Sequence, residues 1–362
     1  MFIELHLIQN FAPSNLNRDD TNNPKDCDFG GARRARISSQ CFKRAVRLDP
    51  VFAQTTGVPT SQRTKKIKTE LARQLAALGL DGEAAVARAD EFAKNYSSKK
   101  AAMDGDDTKV LLFLSRAEIQ KAAQALASME SPAEIKKYAE DFAKTTKNRP
   151  SAPDIAMFGR MLADRPETNI DAACQVAHAI STHAVSMDMD YFTAVDDLQP
   201  SETTGAGMLG LSGFNSSCFY RYACIDFGQL VANLGGDVAM ARKTVEAFLR
   251  ASAHAIPTGK QNSSAAQNPP SFYMTVTRAD DSPWSLANAF ERPVSAGEKG
   301  YVYASVQALD QYWGKLTSFF DTNARPVVAY LDGDDALNHL KAARVDTLNA
   351  WIQETLAQLP QE

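Results

Sequence analysis

The stretch FGGARRARISSQCFKRAVR, residues 29–47, opens with a glycine pair, passes through a run of cations and ends in an amphipathic repeat. From Arg33 to Arg47 it holds six Lys or Arg and no Asp or Glu, although the 362-residue chain carries a net charge of −4. Ser38 or Ser39 can cap a helix running to about Leu48, where Asp49-Pro50 ends it. Lys43 and Arg47 are four apart and so line one face of that helix, with Gln40 three residues before Lys43 on the same side. Arg33, Arg34 and Arg36 precede the helix start, where free backbone N–H groups and the helix dipole favour anions. Guanidinium, ammonium, amide and hydroxyl donors are thus gathered around one helix start, a set suited to a sugar-phosphate backbone. A solvated basic helix is the ordinary alternative, and the lack of any acidic partner within the run weighs against it.

Working outward, FIELHLI (2–8) alternates, with Ile3, Leu5 and Leu7 on one face and Glu4 and His6 on the other, which predicts a half-buried strand. A loop rich in Asn, Asp and Pro follows. Residues 62–148 read as mostly helical. Ile67, Leu71, Leu75 and Leu78 recur at helical spacing before Gly79, and Ser115 and Ser131 each open a capping-box pattern. KVLLFLS (109–115) fits a short strand or a buried helical turn. Beyond residue 154 the pattern turns to short strands, VAHAISTHAVS and CFYRYACIDF, separated by a long Gly/Ser/Thr stretch that predicts an extended hairpin. A helix over 237–255, a strand at SFYMTVTR, a helix over 301–320, a strand at PVVAYL and two short helices close the order. Strands and helices mix without strict alternation, which predicts an α+β fold over a doubly wound parallel sheet.

The composition, 44% hydrophobic and 23% charged, is that of a soluble globular protein with ample core. Five cysteines without a C-x-x-C pair predict free thiols in a reducing cytosol. MFIELHLIQNF lacks a basic n-region and a long apolar run, and nothing approaches 18 consecutive apolar residues, so a cytoplasmic protein without a membrane partner is expected.

Catalytic patterns are sparse. No H-E-x-x-H, G-x-x-x-x-G-K-S/T or G-x-S-x-G occurs, Gly205, Gly207 and Gly210 fall at G-x-G-x-x-G spacing but precede a strand and not a helix, and the five histidines show no ligand spacing, so neither a metal nor a cofactor is expected. Asp188, Asp190, Asp196 and Asp197 cluster, as do Asp332, Asp334 and Asp335. Convergent carboxylates could serve two-metal phosphodiester chemistry, although DGDD also suits a turn before a helix.

Several blocks, in one order along most of the chain, resemble the CasC family, the backbone subunit of the type I-E CRISPR surveillance complex Cascade. They are NLNRDD from Asn15, the basic stretch itself, FGRM from Phe158, AHAISTHAV from Ala177, D-x-D-x-FTAVDDL from Asp188, GAGMLG from Gly205, GKQN from Gly259, NPP from Asn268 and LANAFE from Leu286. Residues 60–151 carry no such motif. The resemblance implies a palm similar to the RNA-recognition (ferredoxin-like) fold over 1–59 and 152–362, a helical finger insertion over 60–151 and a β-hairpin thumb at about 186–217. It implies a non-catalytic protein whose copies stack head to tail along a CRISPR guide RNA beside other Cascade subunits. Each thumb displaces one base, and the rest stay open to pair with target DNA, so that pairing reads the sequence. Matched to the family pattern, Arg18, Lys25, Ser38, Gln40, Lys43, Arg47 and Lys260 hold the guide backbone. Met161 wedges beside bases, and Tyr191, Phe192 and Thr193 form the base of the thumb. Tyr191 stands where Trp is also expected. The competing class is a metal-dependent RNA phosphodiesterase built on the acidic cluster 188–197.

Two further expectations concern assembly. From Pro166 to Tyr220 there is no Lys or Arg, so an acidic thumb would complement a basic palm between copies and build a filament. In GAGMLGLSG (205–213) the glycines predict a hairpin tip from which Met208 and Leu209 reach across the guide to hold a base out of the stack.

Overall fold

The computed structural model describes residues 1–97, 103–194, 208–279, 282–320 and 322–361. Among them are a large sheet and twelve α-helices. The chain divides into two compact units. One comprises residues 1–49, 176–224 and 249–359, the other residues 50–175, 225–248 and 360–362.

The first unit is built on the sheet. Its strands lie in the order Arg344–Val345, Arg325–Tyr330, Phe272–Arg278, Phe2–Ser14, Met208–Asp226, Ala179–Ser181, Ala32–Ile37 and Asp26–Phe29. Pairs run antiparallel in the registers Phe2↔Arg278, Phe272↔Tyr330, Phe219↔Ser181, Arg36↔Ile180 and Asp26↔Ala35, and Val328↔Arg344 is parallel. This is the α+β arrangement that the irregular order predicted. One face buries Ile8, Cys218, Phe272, Val276 and Val328 with Val306, Leu309 and Trp313 of the helix Gly300–Phe319. A second apolar cluster joins Phe11, Ala35, Ile37 and Phe219 to Phe42 of the helix Ser39–Leu48.

The first strand differs from expectation. It is buried on both faces, with Glu4 and His6 fully enclosed, because a central strand packed on either side has no solvent face. Its polar groups are satisfied internally, as burial requires. The Glu4 carboxylate accepts from Arg278 Nε and the Trp284 N–H, both at 2.7 Å, and from His6 Nε2 at 3.2 Å. Tyr220 Oη donates to His6 Nδ1 at 2.8 Å and accepts from the Leu286 N–H at 2.9 Å. The closing segment also departs from two helices: a 3₁₀ turn at Lys341–Ala343 precedes one helix, Leu348–Ala357.

The second unit is mostly helical. Ile67–Ala77, Gly82–Ser97, Arg116–Ala127 and Pro132–Lys144 pack Ile67, Leu71, Leu75, Phe92, Tyr96, Ile119, Leu126 and Phe142 into one core. Ser115 and Glu118 form the complete capping box, with Ser115 Oγ accepting the Glu118 N–H at 3.0 Å and Glu118 Oε2 accepting the Ser115 N–H at 2.9 Å. Ser131 caps its helix through the Ala133 N–H. KVLLFLS resolves as the strand Leu112–Leu114, paired with Gln62–Thr64.

Candidate nucleic-acid interface

The basic stretch folds as strand, cap and helix. Gly30 and Gly31, at φ +61° and +74°, make a two-residue turn that joins Asp26–Phe29 to Ala32–Ile37. Both positions need the left-handed region that glycine enters freely. A Cβ on Gly30 would also fall 1.7 Å from the Glu291 carbonyl oxygen. The arginines expected in a loop before the helix therefore lie on a strand, and its alternation separates them. Arg34 is fully buried and donates to the carbonyls of Phe29, Ser181, Phe290 and Glu291 at 2.7–3.3 Å. Arg33 points outward, but Asp26 grips it through two bonds at 2.7 and 2.9 Å, with Asp28 at 3.4 Å. The acidic partners missing from the run itself come from across the hairpin.

Ser38 caps the helix Ser39–Leu48 as expected, its Oγ accepting the Cys41 N–H at 3.4 Å. Of the cations on this helix, Arg47 is buried at 6% exposure and engaged within the protein, so it does not share an open face with Lys43. Lys43 is half-buried, Gln40 and Arg44 are exposed, and none of the three has a side-chain partner among the described residues.

Three loops meet this helix start. Asn17 Oδ1 accepts the Ser38 N–H at 2.8 Å, and its carbonyl accepts the Lys25 N–H at 2.9 Å. The Lys25 carbonyl in turn accepts the Arg36 N–H at 2.9 Å. Arg18, exposed, donates to Asn22 Oδ1 at 2.7 Å. The GKQN loop lies against the same segment, where a Cβ on Gly259 would fall 2.3 Å from the Leu16 carbonyl oxygen. Lys260 there adopts the left-handed conformation at φ +51°. Asn15 Nδ2 donates to the carbonyls of Asn22 and Gly213, tying the foot of the hairpin to this site. Arg18, Lys25, Ser38, Gln40, Lys43 and Lys260 thus converge in the first unit. Cys41 sits among them; burial raises its thiol pKa, against the pull of Arg44 and Lys25, so it remains a neutral thiol.

The hairpin pairs Asp188–Ala194 with Met208–Phe214. Because strand residues alternate, Tyr191 and Phe192 face opposite sides. Met189, Tyr191, Thr193, Leu211 and Gly213 occupy one face, and Asp188, Asp190, Phe192 and Gly210 the other. Tyr191, Leu211 and Met189 are 61%, 62% and 53% exposed. The Phe192 ring lies over Gly210, where a Cβ would fall 2.3 Å from it. Met208 and Leu209 are paired with Ala194 and Thr193 along the ribbon and are not at a tip. Asp196, Asp197 and Gly205–Gly207 lie outside the described residues.

Met161 belongs to the second unit and is 83% exposed, so it takes no part in the core. Its neighbours fix it there. Arg160 is buried, donating to Glu118 at 3.0 Å and to the carbonyls of Phe113 and Thr168, and the Leu162 N–H donates to Asn169 Oδ1 at 2.7 Å. Beside Met161 a cavity of about 580 Å³ is lined by Arg63, Leu111, Phe113 and Ile170, with the Arg63 guanidinium 4.6 Å from the Phe113 ring centre.

Among the described residues, which leave out Asp196 and Asp197, no three His, Cys, Asp or Glu side chains come together as a ligand set. Asp334 is paired with Arg344 at 2.7 Å and with Lys341 at 3.6 Å. No helix among the described residues is long and apolar enough to cross a membrane.

Solved structures resemble the whole chain. A chain of a "CRISPR RNA-guided surveillance complex, pre-nicking" is 33% identical, with a TM-score of 0.88 and 99% of both chains covered. A chain of another "CRISPR RNA-guided surveillance complex" is 28% identical, with a TM-score of 0.74, covering 99% of this chain and 100% of that one. No curated protein sequence matches. The family model described as "CT1975-like protein" matches residues 3–358, and the chain belongs to that family, the Cascade backbone family whose motifs its sequence carries.

Proposed function

We propose that this chain is a non-catalytic backbone subunit that grips a CRISPR guide RNA through its sugar-phosphate chain and stacks head to tail with further copies, beside other Cascade subunits. The observation that carries the reading is the convergence of Lys25, Lys43, Arg44 and Lys260, without side-chain partners among the described residues, around the helix start capped by Ser38. Such a surface binds phosphates of any sequence, and sequence is then read by the guide pairing with target DNA. The sheet-based part serves as a palm related to the RNA-recognition fold, residues 60–151 as a finger and the hairpin as a thumb. Phe192 on the ribbon, with Met208 and Leu209 of the paired strand, displaces a guide base at intervals, Thr193 lies on the opposite face, and Met161 wedges beside bases. Tyr191, on the opposite face from Phe192, contacts a different base or a neighbouring copy. The acidic 166–220 stretch meets the basic palm of the next copy.

The test is binding of unrelated single-stranded RNAs across a salt series, with and without Mg²⁺ or Mn²⁺. Equal affinities, a steep salt dependence and intact RNA are expected. Preference for one sequence, or metal-dependent fragments, would sink the reading.

A further inference from the structure

We propose that Arg36, His178 and Lys25 form one phosphodiester-binding site in which His178 acts as a neutral hydrogen-bond donor. The proposal rests on the RNA-binding reading above and adds two residues to it.

Three adjacent strands create the site. Arg36 lies opposite Ile180, so His178, two residues before Ile180, shares its sheet face. Lys25 immediately precedes Asp26, whose partner is Ala35, and the Lys25 carbonyl accepts the Arg36 N–H. This face is opposite the one on which Ala35 and Ile37 enter the core. The Arg36 guanidinium is held at two points: Nε donates to the Asp26 carbonyl at 3.2 Å, and Nη1 lies 3.0 Å from His178 Nδ1.

That second bond fixes the chemistry of the imidazole. A guanidinium cannot accept, so Nδ1 must, and the ring proton resides on Nε2. Burial, Arg36 and Lys25 all push the His178 pKa below its usual value, consistent with a neutral ring. Among the described residues Nε2 has no partner, and His178 is exposed. The charged groups that act on it are those two cations. Asp26 and Asp28 are turned onto Arg33, Asp19 feels the Lys25 charge, and among the described residues no carboxylate forms an ion pair with Arg36 or Lys25. A guanidinium held in place, a free ammonium and an outward neutral N–H suit the two non-bridging oxygens and single charge of a phosphodiester.

The two side chains should leave different signatures in binding of a mixed-sequence single-stranded RNA, followed by fluorescence anisotropy across a salt series. Arg36→Gln should weaken binding about tenfold and lower the slope of log affinity against log salt by about one, because a released counterion is lost. Arg36→Lys should keep the slope, and Lys25→Ala should lower it as Arg36→Gln does. His178→Ala should weaken binding about threefold with the slope unchanged, the mark of a neutral donor. The Arg36→Gln/His178→Ala variant should lose less than the product of the single losses, since both serve one phosphate. In ¹⁵N spectra, the His178 ring should show the Nε2–H tautomer and shift on adding RNA but not a peptide nucleic acid of the same sequence, which has no phosphates. RNA binding unchanged by His178→Ala, slopes unchanged by both Arg36→Gln and Lys25→Ala, losses that multiply, or equal shifts with peptide nucleic acid would overturn this site alone. Failure of the wild-type chain to bind RNA would overturn the wider reading with it.

Discussion

The basic strand and helix over residues 32–48 and the paired strands 188–194 and 208–214 are the two candidate surfaces of the first unit, and they are built in opposite ways. The basic segment is anchored: Arg34 and Arg47 are buried, Ser38 caps the helix, and Ala35, Ile37 and Phe42 enter the core. Its useful charges are what remains after the fold has used the others. The hairpin ribbon is exposed on both faces from Asp188 to Thr193, presents large apolar side chains and carries no cation. Charge on a rigid base grips a polyanion without regard to sequence. An apolar ribbon with little core of its own is suited to insertion between bases, where shape and stacking offset the cost of unstacking.

The largest effect should come from breaking the anchor. Arg34→Ala would leave four carbonyls, three of them far along the chain, without their donor inside the protein. A loss of about 3 kcal/mol or more in urea unfolding is expected. Retention of stability within about 1 kcal/mol would mean that the anchor is dispensable.

The next effect is on binding and separates the two surfaces. Lys25→Ala, Lys43→Ala and Arg44→Ala combined should cut RNA affinity about a hundredfold at moderate salt and reduce the salt slope by about three. The fold should be unchanged, since none of these ends is bonded within the described protein. Phe192→Ala should leave that slope intact. Its expected readout is chemical probing of an assembled guide, where periodically reactive, unstacked bases should fade. A changed slope in Phe192→Ala, or an unchanged one in the triple variant, would erase the distinction between grip and wedge.

Gly210→Ala sharpens the same comparison at smaller cost. A methyl group there collides with the Phe192 ring and must turn it away. Probing should resemble that of Phe192→Ala, while global stability changes by less than about 1 kcal/mol because the ribbon contributes little core. The smallest effect belongs to Arg33→Ala. Its exposed pairs with Asp26 and Asp28 are worth at most about 1 kcal/mol, so thermal unfolding should hardly move, in contrast to the neighbouring Arg34.

Local sequence determined the parts whose stabilising groups are close in the chain. The helix from Ser39 to Leu48, its Ser38 cap, the Ser115–Glu118 box, the repeat Ile67, Leu71, Leu75 and the mixed α+β order were legible because caps and apolar periods act over three or four residues. So was the gathering of Ser38, Gln40 and Lys43 at one helix start. Tertiary structure decided the fate of each charge. Arg34 became a strut because Phe290 and Glu291, over 250 residues away, fold onto it, and Arg33 was neutralised by Asp26 across a glycine turn. Glu4 and His6 disappeared into the interior because strands and helices from distant segments covered the second face of their sheet. Strand register set Tyr191 against Phe192 and brought His178 to Arg36, and anchored neighbours held Met161 in the open. The physical reason is common to all of these. A side chain's polarity and period are written locally, but whether a charge is buried, paired or free depends on what chain pairing brings opposite it.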